Sequence, residues 1–249
     1  ERKVTPDIKL HFGEQVTCLP LESLGQELDV LAMARTVVQI DLATAPDWVC
    51  QRLMAGGAQI INKQDPCLLY KSCKNEVEIE GMRAAHVRDG IALSRFLHWV
   101  SYLNGTENIK ESVAAEKLAS FRDDGQYYQG PSFETISGSA ANGAVVHYRV
   151  TTETDITLKP ETLFLVDSGG QYLDGTTDVT RTIAIGKPKD EYRDRFTRVL
   201  KGHIALATTS FPRGTSGTQL DSLARQYLWQ IGEDYDHGTG HGVGSYLNV

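Results

Sequence analysis

Two strand-forming runs between Leu163 and Ile185 constrain this chain more than any other stretch. Leu163, Phe164, Leu165 and Val166 run without a break into Asp167, as in a strand buried on both faces. Beyond Asp178, Val179, Arg181, Ile183 and Ile185 alternate with Thr180, Thr182 and Ala184, the period-two pattern of a half-buried strand. Asp174-Gly175 lies between the runs and is a turn signal. Folding the runs together predicts a hairpin with Asp167 and Asp178 opposite each other on one face. Opposed residues of an antiparallel pair have Cβ atoms roughly 4.5–5.5 Å apart. Two buried carboxylates that close repel unless a proton or a cation lies between them. Two divalent ions about 3.5–4 Å apart would fit. The competing reading is that both aspartates only end strands and cap turns.

The histidines supply a second cluster. Asp236-His237-Gly-Thr-Gly-His241-Gly-Val-Gly-Ser carries two imidazoles four residues apart. A helix could present such a pair to a metal, but Gly238, Gly240, Gly242 and Gly244 disfavour a helix. In an extended chain His237, Thr239 and His241 still share one face, and the glycines suit close approach to another strand or a ligand. An imidazole beside two carboxylates is a mixed N/O set that suits Mn, Fe, Co or Zn better than Ca or Mg. A phosphate cradle is excluded because no G-x-x-x-x-G-K-[ST] run is present. Ala144-Val-Val-His147-Tyr148 reads as a compact strand, on which His147 alone is unremarkable.

Around these clusters the chain divides in two. Residues 1–73 read as alternating strands and helices: strands at 16–19, 36–40 and 59–61, and helices from a Ser23/Gln26 capping box and from Thr44-Ala-Pro-Asp. That order predicts a mostly parallel α/β sheet. A boundary falls near 69–74. Asn75 and Glu78 then form a capping box for a helix running to about Tyr102, with Ile79, Met82, His86, Leu93, Leu97 and Val100 on one face. A second helix follows from Ser112. Residues 123–143, rich in Gly, Ser, Asp and Gln, read as loops. After the hairpin, a helix from Asp190 places His203 on an apolar face, and another opens near Thr218. His86 and His203 are read as packed core histidines.

Bulk properties narrow the function. The chain has 249 residues, 41% of them hydrophobic, with a net charge of −7. Acids and bases are interspersed, which disfavours nucleic acid and anionic membranes as partners. No apolar run approaches the roughly 18 residues of a membrane span. Cys18, Cys50, Cys67 and Cys73 form no CxxC pair and read as buried thiols of a reducing compartment. Asn104-Gly-Thr106 matches a glycosylation triplet that acts only in a secretory context.

Asp167-Ser-Gly-Gly-Gln-Tyr-Leu-Asp-Gly-Thr-Thr-Asp178-Val-Thr-Arg-Thr, followed about sixty residues later by His237-Gly-Thr-Gly-His241-Gly-Val-Gly-Ser-Tyr-Leu-Asn-Val, resembles aminopeptidase P, the Xaa-Pro aminopeptidases of the pita-bread metallopeptidase group, in its long three-domain form. The resemblance is close from about Asn75 to the end and looser before it. It implies that residues 1–73 are part of a middle α/β domain. Residues 74–249 would be the N-terminal portion of an α+β pita-bread catalytic domain. It also implies two divalent ions, usually Mn, with Zn or Co as alternatives. Asp167 would bind one, Asp178 would bridge both, and His241 would be the imidazole ligand through Nε2. His147 and His237 match histidines that contact substrate and help move protons. The implied reaction releases the N-terminal residue from peptides with proline second, by attack of a hydroxide held between the metals. A cytoplasmic homodimer is the usual form. The resemblance further implies a site histidine and two glutamate ligands in a segment after Leu-Asn-Val, and a domain before residue 1; neither lies within these 249 residues. Three of five implied ligands are present, so a chain ending at Val249 is expected to bind metal weakly and to be inactive. The alternatives are a prolidase, a methionine aminopeptidase, or a non-catalytic pita-bread module that binds peptides or histones.

Overall fold

A computed structural model describes residues 4–247 and 249. The chain forms two compact units, Glu1–Cys73 and Lys74–Val249, and each is described by itself.

The first unit contains α1 (Pro6–Phe12), α2 (Leu24–Met33), β1 (Val37–Ile40), α3 (Asp47–Ala55), β2 (Gln59–Asn62) and α4 (Pro66–Ser72). β1 and β2 pair in parallel, Val37 against Gln59 through Ile40 against Asn62, with α3 as the crossover. Leu28, Ala32 and Leu53 form the core, against Val38, Ile40, Val49, Ala58 and Ile60. Arg52 grips Asp29 with two hydrogen bonds, Nε to Oδ1 at 2.8 Å and Nη2 to Oδ2 at 2.7 Å. The sheet has two strands rather than the three predicted. Residues 16–19 form no strand, and Val16 and Leu19 are exposed, because no ladder among the described residues pairs with them. Ser23 caps nothing; its hydroxyl donates to the Pro20 carbonyl at 2.8 Å.

The second unit opens with α5 (Glu76–Ser101). Its capping box is present: the Asn75 side chain accepts from the Glu78 N–H, and Glu78 accepts from the Asn75 N–H, both at 2.9 Å. The buried stripe of α5 is Gly81, Ala85, Asp89, Ala92, Leu93, Phe96 and Val100. His86 falls outside that stripe and is exposed, correcting the expectation of a packed histidine. The stripe instead admits a buried aspartate at position 89, whose charge is paired with Arg122.

There follow α6 (Glu111–Asp123), β3 (Tyr128–Pro131), β4 (Ile136–Ser139), β5 (Thr162–Ser168), β6 (Gly170–Tyr172), β7 (Gly175–Thr176), β8 (Val179–Ile185), α7 (Asp190–Ala207) and α8 (Gly217–Trp229). The strands form two antiparallel three-stranded sheets, ordered β4-β5-β8 and β3-β6-β7. β3 and β4 occupy the stretch read as loop. Their composition is poor for strands, but β6 and β5 supply the partners, and pairing overrides propensity here. Conversely, residues 144–148 are not a strand. A 3₁₀ turn spans Ala140–Ala144, and His147 takes a left-handed φ of 55°.

Phe164, Val166 and Ile185 on one sheet face pack with Leu93, Phe96 and Val100 of α5, Ala114 and Leu118 of α6, and Leu158. Each large apolar side chain buried this way stabilises the fold by about 1.5–3 kcal/mol relative to exposure. On α7 the buried position is Gly202, not His203, which is exposed. Beside α8, Gln219 Oε1 accepts from the Ser216 N–H at 2.8 Å, so the helix starts slightly before the predicted Thr218.

Candidate metal centre

β5 and β8 pair from Thr162 against Ile185 to Ser168 against Val179, and β6 and β7 continue in the same register, ending with Tyr172 against Gly175. The four strands are thus one long ribbon that turns at Leu173-Asp174. Its ladder breaks at Gly169, where a Cβ would lie 1.9 Å from the Thr177 carbonyl oxygen and 2.3 Å from Ser132 Oγ. Only glycine permits that approach. There the ribbon leaves one three-stranded sheet and enters the other.

Burial alternates along β5: Phe164, Val166 and Ser168 are buried, while Leu163, Leu165 and Asp167 lie on the other face. Asp167 pairs with Ile136 on one side and Thr180 on the other. Asp178 is two residues from Thr180, so it shares the face of Asp167 but lies diagonally across the ladder rather than directly opposite. The turn at Leu173-Asp174 sets this register. Diagonal neighbours remain within reach of each other's side chains.

Burial pushes the Asp178 carboxyl above its ordinary value, and the neighbouring Asp167 charge adds to the rise, while His241 opposes it. The Asp178 side chain is only 16% exposed. Asp167 Oδ1 is buried with no hydrogen-bond partner, a costly condition for a carboxylate oxygen. His241 Nε2 lies 3.5 Å from Asp178 Oδ2. Its Nδ1 sits 2.9 Å from the Gly242 carbonyl, which can only accept, so Nδ1 carries the proton. When the ring is neutral, that tautomer leaves the Nε2 lone pair on the side of the Asp178 carboxylate. Lone pair, raised carboxyl and orphaned oxygen together fit part of the shell of a divalent cation with mixed N/O ligands. Among the described residues, no three His, Cys, Asp or Glu side chains form a complete metal-holding group; the donors form a pair with a flanking imidazole.

His147 and His237 are not brought into contact with this pair. His147 is exposed. Its neighbour Tyr148 is buried, with its hydroxyl donating to Glu111 Oε2 at 2.9 Å. His237 is exposed, stacks on Tyr235 with ring centroids 4.7 Å apart, and places Nδ1 2.8 Å from the Gly238 carbonyl. Residues 236–241 are irregular, as the glycines predict. Asn248, at the end of the second motif, lies outside the described residues.

The sequence reading missed the polar support beneath the ribbon. Arg122 and Asp89, 2% and 1% exposed, pair through Nε to Oδ1 at 2.7 Å and Nη2 to Oδ2 at 3.1 Å. Arg122 Nη2 also donates to Ser168 Oγ at 3.1 Å, and the Tyr172 hydroxyl donates to Asp89 Oδ1 at 2.9 Å. Burial, then the Asp89 charge, raises the Tyr172 phenol. Ser168 directly follows Asp167, so the ion pair fixes the strand end that carries the candidate ligand. The available signal was Asp89 itself, which continues the helical series 81, 85, 92, 96 and 100.

The class is that of a pita-bread metallopeptidase. The chain belongs to metallopeptidase family M24, whose family model matches residues 80–249. It is 44% identical over 255 residues to a probable Xaa-Pro aminopeptidase P of Aspergillus fumigatus, covering 99% of this chain and 39% of that protein. A probable Xaa-Pro aminopeptidase P of Aspergillus niger is 43% identical, covering 100% of this chain and 42% of that protein. The chain therefore spans about two fifths of the length of these curated relatives. Among solved structures, a Caenorhabditis elegans X-prolyl aminopeptidase, described as a cytosolic enzyme with a di-nuclear active site, superposes with a TM-score of 0.88. It is 32% identical, covering 98% of this chain and 41% of that one. A Pyrococcus furiosus prolidase shares the fold, with a TM-score of 0.74 at 21% identity, covering 98% of this chain and 71% of that one.

Proposed function

We propose that the protein is a proline-specific aminopeptidase, releasing the N-terminal residue from peptides with proline second. Asp167, Asp178 and His241 supply part of a two-cation site. The observation that carries this reading is the buried, unpartnered Asp167 Oδ1 and the raised Asp178 carboxyl beside it, with His241 Nε2 3.5 Å from Asp178 Oδ2. The names of the fungal relatives and of the nematode structure support the substrate class.

In this assignment Asp167 and Asp178 would be the carboxylate ligands, Asp178 serving both ions, and His241 would be the nitrogen ligand. When bound, divalent ions supply activation of water and stabilisation of negative charge on the scissile carbonyl. The chain's own contribution is orientation and proton transfer. The nitrogen of an Xaa-Pro bond must gain a proton to leave. His237, whose Nδ1 lies 2.8 Å from the Gly238 carbonyl, is assigned that transfer, its Nε2 first taking the proton given up by the attacking water and then passing it to the leaving nitrogen, with His147 assigned to substrate contact. Manganese is the assigned metal, from the family resemblance; the mixed carboxylate–imidazole donor set suits Mn, Fe, Co and Zn alike. The description of the nematode structure as cytosolic supports a cytoplasmic location; homodimerisation follows from the family resemblance. Among the described residues, no helix is long and apolar enough to cross a membrane.

The test is metal analysis and peptide cleavage by the full-length protein. We expect Mn(II) to be retained through dialysis, and Arg-Pro-Pro to be cleaved in preference to Gly-Pro and Met-Ala. Asp178→Asn should remove both properties. Full metal retention and unchanged cleavage by that variant would refute the assignment.

A further inference from the structure

The loop carrying His237 and His241 has no strand ladder to hold it. Residues 233–241 contain no helix or strand. A Cβ at Gly238, Gly240 or Gly242 would meet no atom within 4 Å, so packing does not fix this backbone either. At its start the loop is held by Arg195 of α7, which donates to Glu233 Oε1 at 2.5 Å, and by the Trp229 indole, which donates to Asp234 Oδ2 at 2.8 Å; from Tyr235 to Thr239 its polar contacts with the helices run to Arg225 of α8 and that residue's partner Asp221.

Arg225 Nε donates to Asp221 Oδ2 at 2.6 Å. Nη1 donates to Asp234 Oδ1 at 2.9 Å and to the Tyr235 carbonyl at 2.5 Å. Nη2 donates to the His237 carbonyl at 3.0 Å. The guanidinium carbon lies 4.0 Å from the centroid of the Tyr235 ring, and that ring stacks on His237. Asp221 uses its other oxygen, Oδ1, to accept from Thr239 Oγ1, which the Tyr235 hydroxyl meets at 2.7 Å. The loop is thus gripped at 234, 235, 237 and 239. The grip ends two residues before His241, whose ring reaches Asp178.

We infer that Arg225, braced by Asp221, is the positioning residue that holds the histidine loop against the aspartate ribbon, and so sets the affinity of the site for divalent metal. Arginine suits the task because its planar fork fixes several directions at once, which a lysine ammonium cannot do. Its side chain is 14% exposed, and hydrogen bonds of a charged donor in such surroundings are strong ones. Arg225 has no contact with the side chain of Asp167, Asp178 or His241 among the described residues. It acts through the loop backbone that carries His241.

This inference rests on the proposed metal site. The experiment separates the two by titrating the full-length protein, freed of metal, with Mn(II) and following the free-ion signal by electron paramagnetic resonance. Arg225→Lys keeps the charge and is expected to weaken Mn(II) binding about 10- to 100-fold, as loss of a group supporting a metal ligand does. Thr239→Val, which leaves Arg225 intact, should weaken it severalfold. Leu118→Ala, a core substitution away from the loop, lowers thermal stability and should leave Mn(II) affinity unchanged, so instability alone does not imitate the effect. Asp178→Asn should abolish binding. If Asp178→Asn abolishes binding but Arg225→Lys and Thr239→Val bind like the parent, the positioning role is wrong and the metal reading stands. If Asp178→Asn also binds like the parent, the metal reading is wrong and the positioning role falls with it.

Discussion

Asp167 lies on a strand paired along both edges, whereas His241 lies on a segment with no ladder. The two regions meet where His241 approaches Asp178, yet they are held by different means. The ribbon is fixed by many repeated backbone bonds and by a buried ion pair beneath its end. The loop is fixed by a few side-chain bonds, one from Arg195 of α7 and the rest from α8. Damage to the ribbon should therefore appear as lost stability. Damage to the loop should appear as lost affinity in a protein that remains folded.

The largest test of this contrast is Arg122→Met, which leaves Asp89 buried without its partner. We expect it to cost about 3–5 kcal/mol, read from urea unfolding of the second unit; a loss under about 1 kcal/mol would show that the ribbon does not depend on the pair. Gly169→Ala should come next, at about 1–3 kcal/mol of overpacking, because the new Cβ meets the Thr177 carbonyl at 1.9 Å. Tyr235→Phe removes only the hydroxyl that meets Thr239. Its stability cost should stay within about 1 kcal/mol, while Mn(II) affinity falls severalfold; equal affinity would place the hydroxyl outside the clamp.

The smallest effect is on pH dependence, where the regions should move in opposite directions. Thr239 and Arg225 hold the Asp221 carboxyl below its ordinary value, and the Trp229 indole with the Tyr235 N–H does the same for Asp234. Depressed carboxyls favour the folded loop above the ordinary aspartate value, and that contribution disappears as pH falls through the depressed values. Asp178 is raised, so its sign is reversed: its proton favours the metal-free fold at low pH, and that contribution is lost as pH rises through the raised value. The Trp229 Nε1 donates to Asp234 Oδ2 at 2.8 Å. Its fluorescence, taken as the difference from Asp234→Asn, should shift only below the ordinary aspartate range. A shift at neutral pH would contradict a depressed Asp234 carboxyl.

The same contrast explains what could be read from the sequence. Ladders leave periodic signatures, so β5 and β8 were legible from apolar runs, as was α5 from Asn75 and Glu78. The shared face of Asp167 and Asp178 followed from parity, although their diagonal offset needed the turn position. The glycines disfavoured a helix at 236–241, and none forms there. Side-chain clamps leave no such signature. Arg225 and Asp221 read as an ordinary i, i+4 pair on a helix, and nothing local announces that Asp234, Tyr235 and His237 converge on them. β3 and β4 were missed for a related reason: Ser137, Gly138 and Ser139 are strand residues because β5 is their neighbour. His86 and His203 were misplaced because Gly81, Ala85 and Asp89 take the packed face of α5 near His86, and Gly202 is the buried position of α7 beside His203.

The unbroken register of the ribbon sets a rule for length. Eleven positions separate Asp167 from Asp178 (178 − 167), and the tip at Leu173-Asp174 lies between them. One residue inserted into a single arm between Asp167 and the tip would turn one carboxylate to the opposite face. Two residues, one in each arm, would lengthen the ribbon and leave the pair on its shared face. This segment therefore tolerates change only in matched pairs, as a hinge tolerates longer leaves only when both are cut alike.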